Sequence, residues 1–228
     1  MKKFISLILI LSFVFCFAAC GGNETPNENN DNNIVENVGD NSDDNIITSN
    51  KEIALDDVEK APVSPEADFE VYEDAGVITV DSYIGNAEVV VIPETINGKP
   101  VTSIGIGAFS NASTVRAVKL ADTIENVGDS AFFGNPNLEV LVAGTGLKVI
   151  DFCGISKCEN LRILKLNDGL ERIGIGGIGE NPKLKEVYFP SSLTQIGYVP
   201  AEDSIIICEA GSYAEEYAKN KGYEYRLK

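Results

Sequence analysis

From Ile104 onward the chain repeats itself at a fixed spacing of 23 residues. One column holds Ile104, Val127, Ile150, Ile173 and Ile196, and the next holds Gly105, Gly128, Asp151, Gly174 and Gly197. Ala108, Ala131, Gly154 and Gly177 make a third, beside Phe109, Phe132, Ile155 and Ile178. Each period then carries an apolar run that opens with Val115, Leu138, Leu161 or Leu184. It continues through Val118, Leu141, Leu164 and Val187 to Leu120, Ala143, Leu166 and Phe189. A unit this short cannot bury its own apolar face, so the units must stack into an elongated solenoid.

Within a run such as Leu161-Arg162-Ile163-Leu164-Lys165-Leu166, side chains alternate with period two. That predicts one short strand per coil, with Leu164 and Leu166 inward and Ile163 and Lys165 outward. Successive strands then form a parallel sheet along one face of a right-handed, β-rich solenoid. The glycine column marks the turn back, where a Cβ is unwelcome. Phe109 and Phe132 fill the wide part of the interior, and Gly177-Ile178-Gly179, without that aromatic, predicts the least tightly packed coil.

The folded domain is expected over residues 68–228, with a flank at 68–100, repeats at 101–200 and a C-terminal cap at 201–228. Phe69-Glu70-Val71-Tyr72 and Gly76 to Val80 read as a hairpin around Glu73-Asp74-Ala75. Glu88 to Ile92 is the next β-branched run, and Asn97-Gly98-Lys99-Pro100 is a strong turn signal. After Pro200, Ser204 to Cys208 reads as a strand and Tyr213 to Lys219 as a helix. Ser212 is its cap and Glu215 the capping-box acid. Gly222 stops the helix before a last strand at Tyr223 to Leu227.

Residues 1–19 have the form of an export signal: Lys2 and Lys3, an apolar run from Phe4 to Phe17, then Ala18-Ala19 before Cys20. Residues 20–67 are a different material, rich in Asn, Asp and Glu; Gly21 to Ala67 holds 12 acidic and 2 basic residues. Such a segment recovers little ordering entropy through burial, so it is expected to be a disordered tether, with Ile53, Leu55 and Val58 making transient contacts.

The formal charge of -17 becomes -19 without the two signal lysines, which opposes binding to nucleic acid or to an anionic membrane. There is no histidine, so the commonest general base and metal ligand is missing. No serine or carboxylate constellation and no phosphate-loop spacing stands out, and no cofactor or metal is implied. Cys153, Cys158 and Cys208 lack the spacing of a zinc site. Cys158 shares a column with Ala112, Asn135 and Asn181, which suits a buried free thiol; a Cys153–Cys158 disulfide is the alternative.

Phe17-Ala18-Ala19-Cys20-Gly21 resembles the lipobox of bacterial lipoproteins, which implies lipidation at Cys20. The coils resemble the bacterial BspA-like (Treponema-type) leucine-rich repeats. Ile-Gly-x-x-Ala-Phe stands at Ile104 to Phe109, and the same pattern with Val127 first runs to Phe132. The opening Asn97 to Gly105 and the closing Ala210 to Ala218 are similar to that family too, whereas Asp151, Ile155 and Ile178 depart from its pattern. The resemblance implies a leucine-rich-repeat solenoid on a non-enzymatic protein held by lipid at the bacterial cell surface or the outer face of the membrane. It also implies attachment to a protein on a host or neighbouring bacterial cell.

The outward strand positions form two columns, Ala117, Val140, Ile163, Glu186 and Lys119, Val142, Lys165, Tyr188. A solvated strand face is normally polar. Val140, Val142 and Ile163 are therefore expected to be an exposed apolar centre, rimmed by Lys119, Lys165, Glu186 and Tyr188, with the anatomy of a protein-binding patch. Two other readings remain. Strand propensity, or a cover from the caps or a second copy, would account for the same residues, and a glycan groove would use Tyr188 as a stacking platform. The alternative function is a carbohydrate-binding or envelope-organising module.

Overall fold

The computed structural model describes residues 51–199 and 204–228; Cys20, the signal-like segment and most of the acidic stretch lie outside them. The 23-residue period appears as stacked coils with two parallel ladders. The front sheet joins Val89–Val91, Ala117–Lys119, Val140–Val142 and Ile163–Lys165 in register, so that Val90, Val118, Leu141 and Leu164 lie in one row. Beyond it, Glu186–Phe189 pairs in parallel with Ile205–Cys208, which pairs with Tyr225–Leu227. The back ladder runs from Val77–Tyr83 through Lys99–Ile104, Asn126–Val127, Val149–Ile150 and Arg172–Ile173 to Gln195–Ile196.

Inward residues of both ladders make one continuous core, in which Leu141, Leu138, Ile150 and Ile173 are fully buried. Between the ladders the coils turn through the glycine column. At Gly128 an added Cβ would sit 2.8 Å from the Ile104 carbonyl oxygen, and at Gly174 it would sit 2.9 Å from the carbonyl carbon of Asp151. The column is glycine because each coil's backbone rests directly on the one before. Asp151 departs from it with a carboxylate that meets Arg172 at 2.5 Å.

The first coils are organised around rings. Phe69, Tyr83, Phe109 and Phe132 follow one another at centroid distances of 5.5, 5.5 and 4.9 Å, the last two contacts stacked. Offset aromatic contacts of this kind add to area burial. Where the rings give way to Ile155 and Ile178, the backbone draws in. Ile155–Ser156 and Ile178–Gly179 form a further parallel ladder, and a Cβ on Gly177 would lie 2.8 Å from the Ile173 side chain. Both isoleucines are buried, and a narrow cavity borders Ile178 and Gly179.

The asparagine column closes the turn before each front strand. Buried Asn135 donates to the carbonyls of Phe109 and Ala112 and accepts from the N–H of Leu138. Cys158 takes the same place one coil on, its thiol directed at the Phe132 carbonyl, and burial pushes its pKa up to about 12. It is a buried free thiol, and Cys153 and Cys208 are likewise buried.

Both ends are capped. The N-terminal hairpin pairs Phe69–Asp74 with Val77–Tyr83 around Ala75-Gly76, both at positive φ. The first strand therefore runs past Tyr72 to Asp74, while the second begins only at Val77, since Ala75-Gly76 alone make the two-residue turn. At the other end the helix Tyr213–Lys221 has Ser212 accepting from the Glu215 N–H, while the Glu215 carboxylate accepts from the Gly211 N–H, one residue before the cap. Gly222, left-handed at φ 74°, ends it. Tyr217 and Ala214 pack into the core against the last coil. Among the described residues no helix is long and apolar enough to cross a membrane.

Within the acidic stretch the described residues begin at Lys51, and Leu55–Glu59 forms a short helix, α1, which has no side-chain cap bond. Five residues are too few for an isolated helix. The segment is ordered because of what it rests on.

Candidate recognition surface

The outward face of the front sheet is where the sequence places a binding patch, and the structure divides it. Ala117 and Val140 are 0% exposed and Val142 is 4% exposed, under Ile53 at 8% and Val58 at 0%. These residues form a second apolar cluster outside the solenoid core, with Leu55, Val89 and Ile163 at its edge. Val140 and Val142 are thus not the exposed centre expected of them. The apolar outward columns exist because residues 51–64, a strap, lie across them and exclude water.

The strap is held at three places. At its start, a row of alternating charge crosses the coils at Glu88, Arg116, Glu139 and Arg162. Arg116 pairs with Glu88 at 3.1 Å and with Glu139 at 2.5 Å, and Arg162 pairs with Glu139 at 3.4 Å. The strap backbone joins this row. Ile53 N–H donates to Glu139 at 3.2 Å, Arg116 donates to the Lys51 carbonyl at 2.7 Å, and Arg162 donates to the Ile53 carbonyl.

Burial alone would raise the Glu139 pKa, but hydrogen bonds from Arg116, Ile53 N–H and Arg162 together hold its carboxyl below the usual carboxylate range. The same hydrogen bond, donated by Arg116 to Glu139, raises the Arg116 pKa. In the middle, Glu59 pairs with Lys165 at 2.5 Å, and Lys119 reaches the Glu59 carbonyl at 3.5 Å. At the end, buried Ser64 exchanges hydrogen bonds with Val91 before the chain enters the first strand.

The cap-proximal part of the face stays open. Glu186 and Lys165 are exposed, and Ile163 and Tyr188 are half-buried. Register places Ile205 opposite Glu186 and Ile207 opposite Tyr188, so two more isoleucines point outward from the cap strand. Glu186 pairs with Arg226 at 3.0 Å, and Lys228 lies 4.5 Å from the Tyr188 ring centroid. Burial, then the neighbouring Asp168 carboxylate, raises the Tyr188 pKa, so the phenol is neutral and a donor at any physiological pH.

Lys165, Glu186 and Tyr188 therefore lie together on accessible surface, while Lys119 is drawn to the strap and Val140 and Val142 lie beneath it. Ile205, Ile207, Arg116, Glu139 and Arg162 escape a reading that stops at the repeat strands. The charged row was nevertheless legible at the same 23-residue spacing, as Arg116, Glu139 and Arg162. Among the described residues no group of three or more His, Cys, Asp or Glu side chains is placed to hold a metal ion.

A family model described as BspA type leucine rich repeat region matches residues 84–203 in 6 copies, more than half of the chain. Among solved structures, a leucine-rich repeat protein of Treponema pallidum is similar at 25% identity with a TM-score of 0.60. The match covers 64% of this chain and 71% of that one. A leucine-rich repeat protein from Bacteroides ovatus is 27% identical with a TM-score of 0.52, and the match covers 62% of this chain but 40% of the other. The pneumococcal vaccine antigen PcpA shares the fold at 15% identity and a TM-score of 0.52, over 69% of this chain and 47% of that one. No curated protein matches the chain.

Proposed function

The chain belongs to the BspA-type leucine-rich-repeat family, and from that premise we propose that it is a lipid-anchored bacterial surface protein whose front sheet recognises another protein. The leucine-rich-repeat solenoid is a scaffold typical of interaction and adhesion modules, and it carries no catalytic metal cluster among the described residues. The anchor is Cys20, which lies outside the described residues and follows an apolar run and Ala18-Ala19. Acyl chains there bury methylene groups at ~0.8 kcal/mol each, enough together for durable attachment.

The observation that carries the reading is the open part of the outward face, where the cap sheet follows the front sheet. Ile163, Tyr188, Ile205 and Ile207 form an outward apolar surface on rigid strands, bordered by Lys165, Glu186 and Arg226. An apolar centre with a charged border suits a protein partner on a host or neighbouring bacterial cell. A carbohydrate-binding or envelope-organising module is the second reading. It is favoured less, because Lys228 already lies against one side of the Tyr188 ring that a sugar would stack on.

The test is binding of the purified chain to a panel of host-matrix and bacterial surface proteins in parallel with a glycan array. Ile207→Glu serves as the variant at the centre of the open face. Protein binding that this variant loses supports the proposal. Glycan binding alone, or protein binding indifferent to Ile207, overturns it. Separately, Cys20→Ala should move the protein out of the membrane fraction, and its retention there would remove the anchor from the proposal.

A further inference from the structure

The strap has the properties of a bound peptide. It enters from the acidic stretch, lays Ile53 and Val58 on an apolar strip of Ala117, Val140 and Val142, and offers its backbone to the Arg116–Glu139–Arg162 row. Its glutamates meet cations on the sheet, Glu59 at Lys165 and Glu52 at Arg162, the latter at 3.7 Å. Little within the strap holds its shape: α1 has no side-chain cap bond, and the Lys60–Asp56 pair is on the surface. Its C-terminal side, Pro62 and exposed Val63, is a short connection to the Ser64–Val91 bonds, which belong to the sheet edge.

We propose that the strap is an intramolecular stand-in for a partner peptide. The strip beneath it is then a docking groove for a short segment of another protein that carries spaced aliphatic side chains and an acidic residue, as Ile53, Val58 and Glu59 do. A segment tethered this closely occupies its groove at an effective concentration in the millimolar range. A partner must therefore outcompete it, and the groove is closed until a segment of matching chemistry arrives at high local concentration. This rests on the front sheet being a recognition surface and adds a second, covered compartment to the open one at Tyr188.

The experiment needs no identified partner. A fluorescent peptide of residues 50–64 is titrated into the full chain, into Val58→Asp, which disfavours the strap in its groove, and into Glu59→Arg, which alters only an exposed contact. Circular dichroism checks the fold of each. The peptide should bind Val58→Asp at least ~10-fold more tightly than wild type, because the cis competitor is gone. Glu59→Arg should show a smaller gain, and a peptide that itself carries Val58→Asp should bind none of them. No gain in either folded variant overturns the proposal, and so does equal binding of the altered peptide. Either failure leaves the open-face reading standing, since binding around Ile207 requires no release of the strap.

Discussion

The two halves of the outward face, the front sheet and the cap sheet beyond it, follow one rule and meet different ends. In the strap-covered half the outward positions are Ala117, Val140 and Val142, and all are buried. In the cap-proximal half they are Glu186, Tyr188, Ile205 and Ile207, exposed or half-buried and laced by Arg226 and Lys228. Strand alternation determines which side chains leave the core. It does not determine whether they reach water. The covered positions are small and aliphatic throughout, whereas the open ones mix isoleucines with charged and aromatic residues.

The largest expected effect contrasts inward with outward within the covered half. Leu141→Ala opens a cavity in the continuous core and should cost ~2–5 kcal/mol in chemical denaturation. Val142→Glu, its neighbour on the outward side, should cost about 1–3 kcal/mol, because the carboxylate must displace the strap to reach water. Amide exchange from Ile53 to Val58 should then rise to near the solvent rate while the repeat strands keep their protection. If Val142→Glu unfolded the solenoid itself, the strap would be part of the core and the comparison would fail.

Acid gives a third contrast. The Glu139 pKa is depressed in the folded state, so its contribution to stability is fully present above the unfolded value of 4.5 and is lost as pH falls through the lower folded value. Strap exchange should therefore accelerate below about pH 4.5, ahead of the cap-proximal strands, and Glu139→Gln should flatten that dependence. In the open half, Ile207→Glu should change stability by about 1 kcal/mol or less, as judged by thermal denaturation, since water already reaches the position. Smallest of all, Lys165→Ala removes an exposed ion pair with Glu59 and should cost only ~0.2–1 kcal/mol, with the loss shrinking in high salt.

The solenoid was legible because its signal is periodic. Leu138, Leu161 and Leu184 report the same environment three times, and Ser212, Glu215 and Gly222 spell out a helix by local hydrogen bonding alone. The strap was not legible, because nothing local specifies it. Residues 51–60 are acidic like the stretch before them, and Ile53 and Val58 acquire meaning only from partners far along the chain, such as Ala117, Val140 and Val142. The clue lay on the other side of the contact. Outward valines at Val140 and Val142 are out of place on a wet sheet, and both a ligand and a cover satisfy that observation equally. The replacement of Phe109 and Phe132 by Ile155 and Ile178 was similarly ambiguous. A smaller side chain leaves either a void or a closer backbone, and the glycines at 176, 177 and 179 permit the closer backbone.

The strap also changes how the molecule comes together. In a solenoid each coil touches only its neighbours, so stability propagates along a line and either end can fray by itself. Residues 51–64 touch Arg162, Lys165, Glu139, Lys119 and Val91, and bind the first strand of the front sheet to the fourth across separations as long as 109 residues. Those coils should consequently melt as a single unit while the Tyr213–Lys221 end loosens independently. The order of assembly is reversed as well. A chain leaves the ribosome from its N-terminus, so the strap emerges before any part of its seat exists. It is among the first residues of the folded domain to be made and, because its seat is a composite of four coils, among the last to find its place.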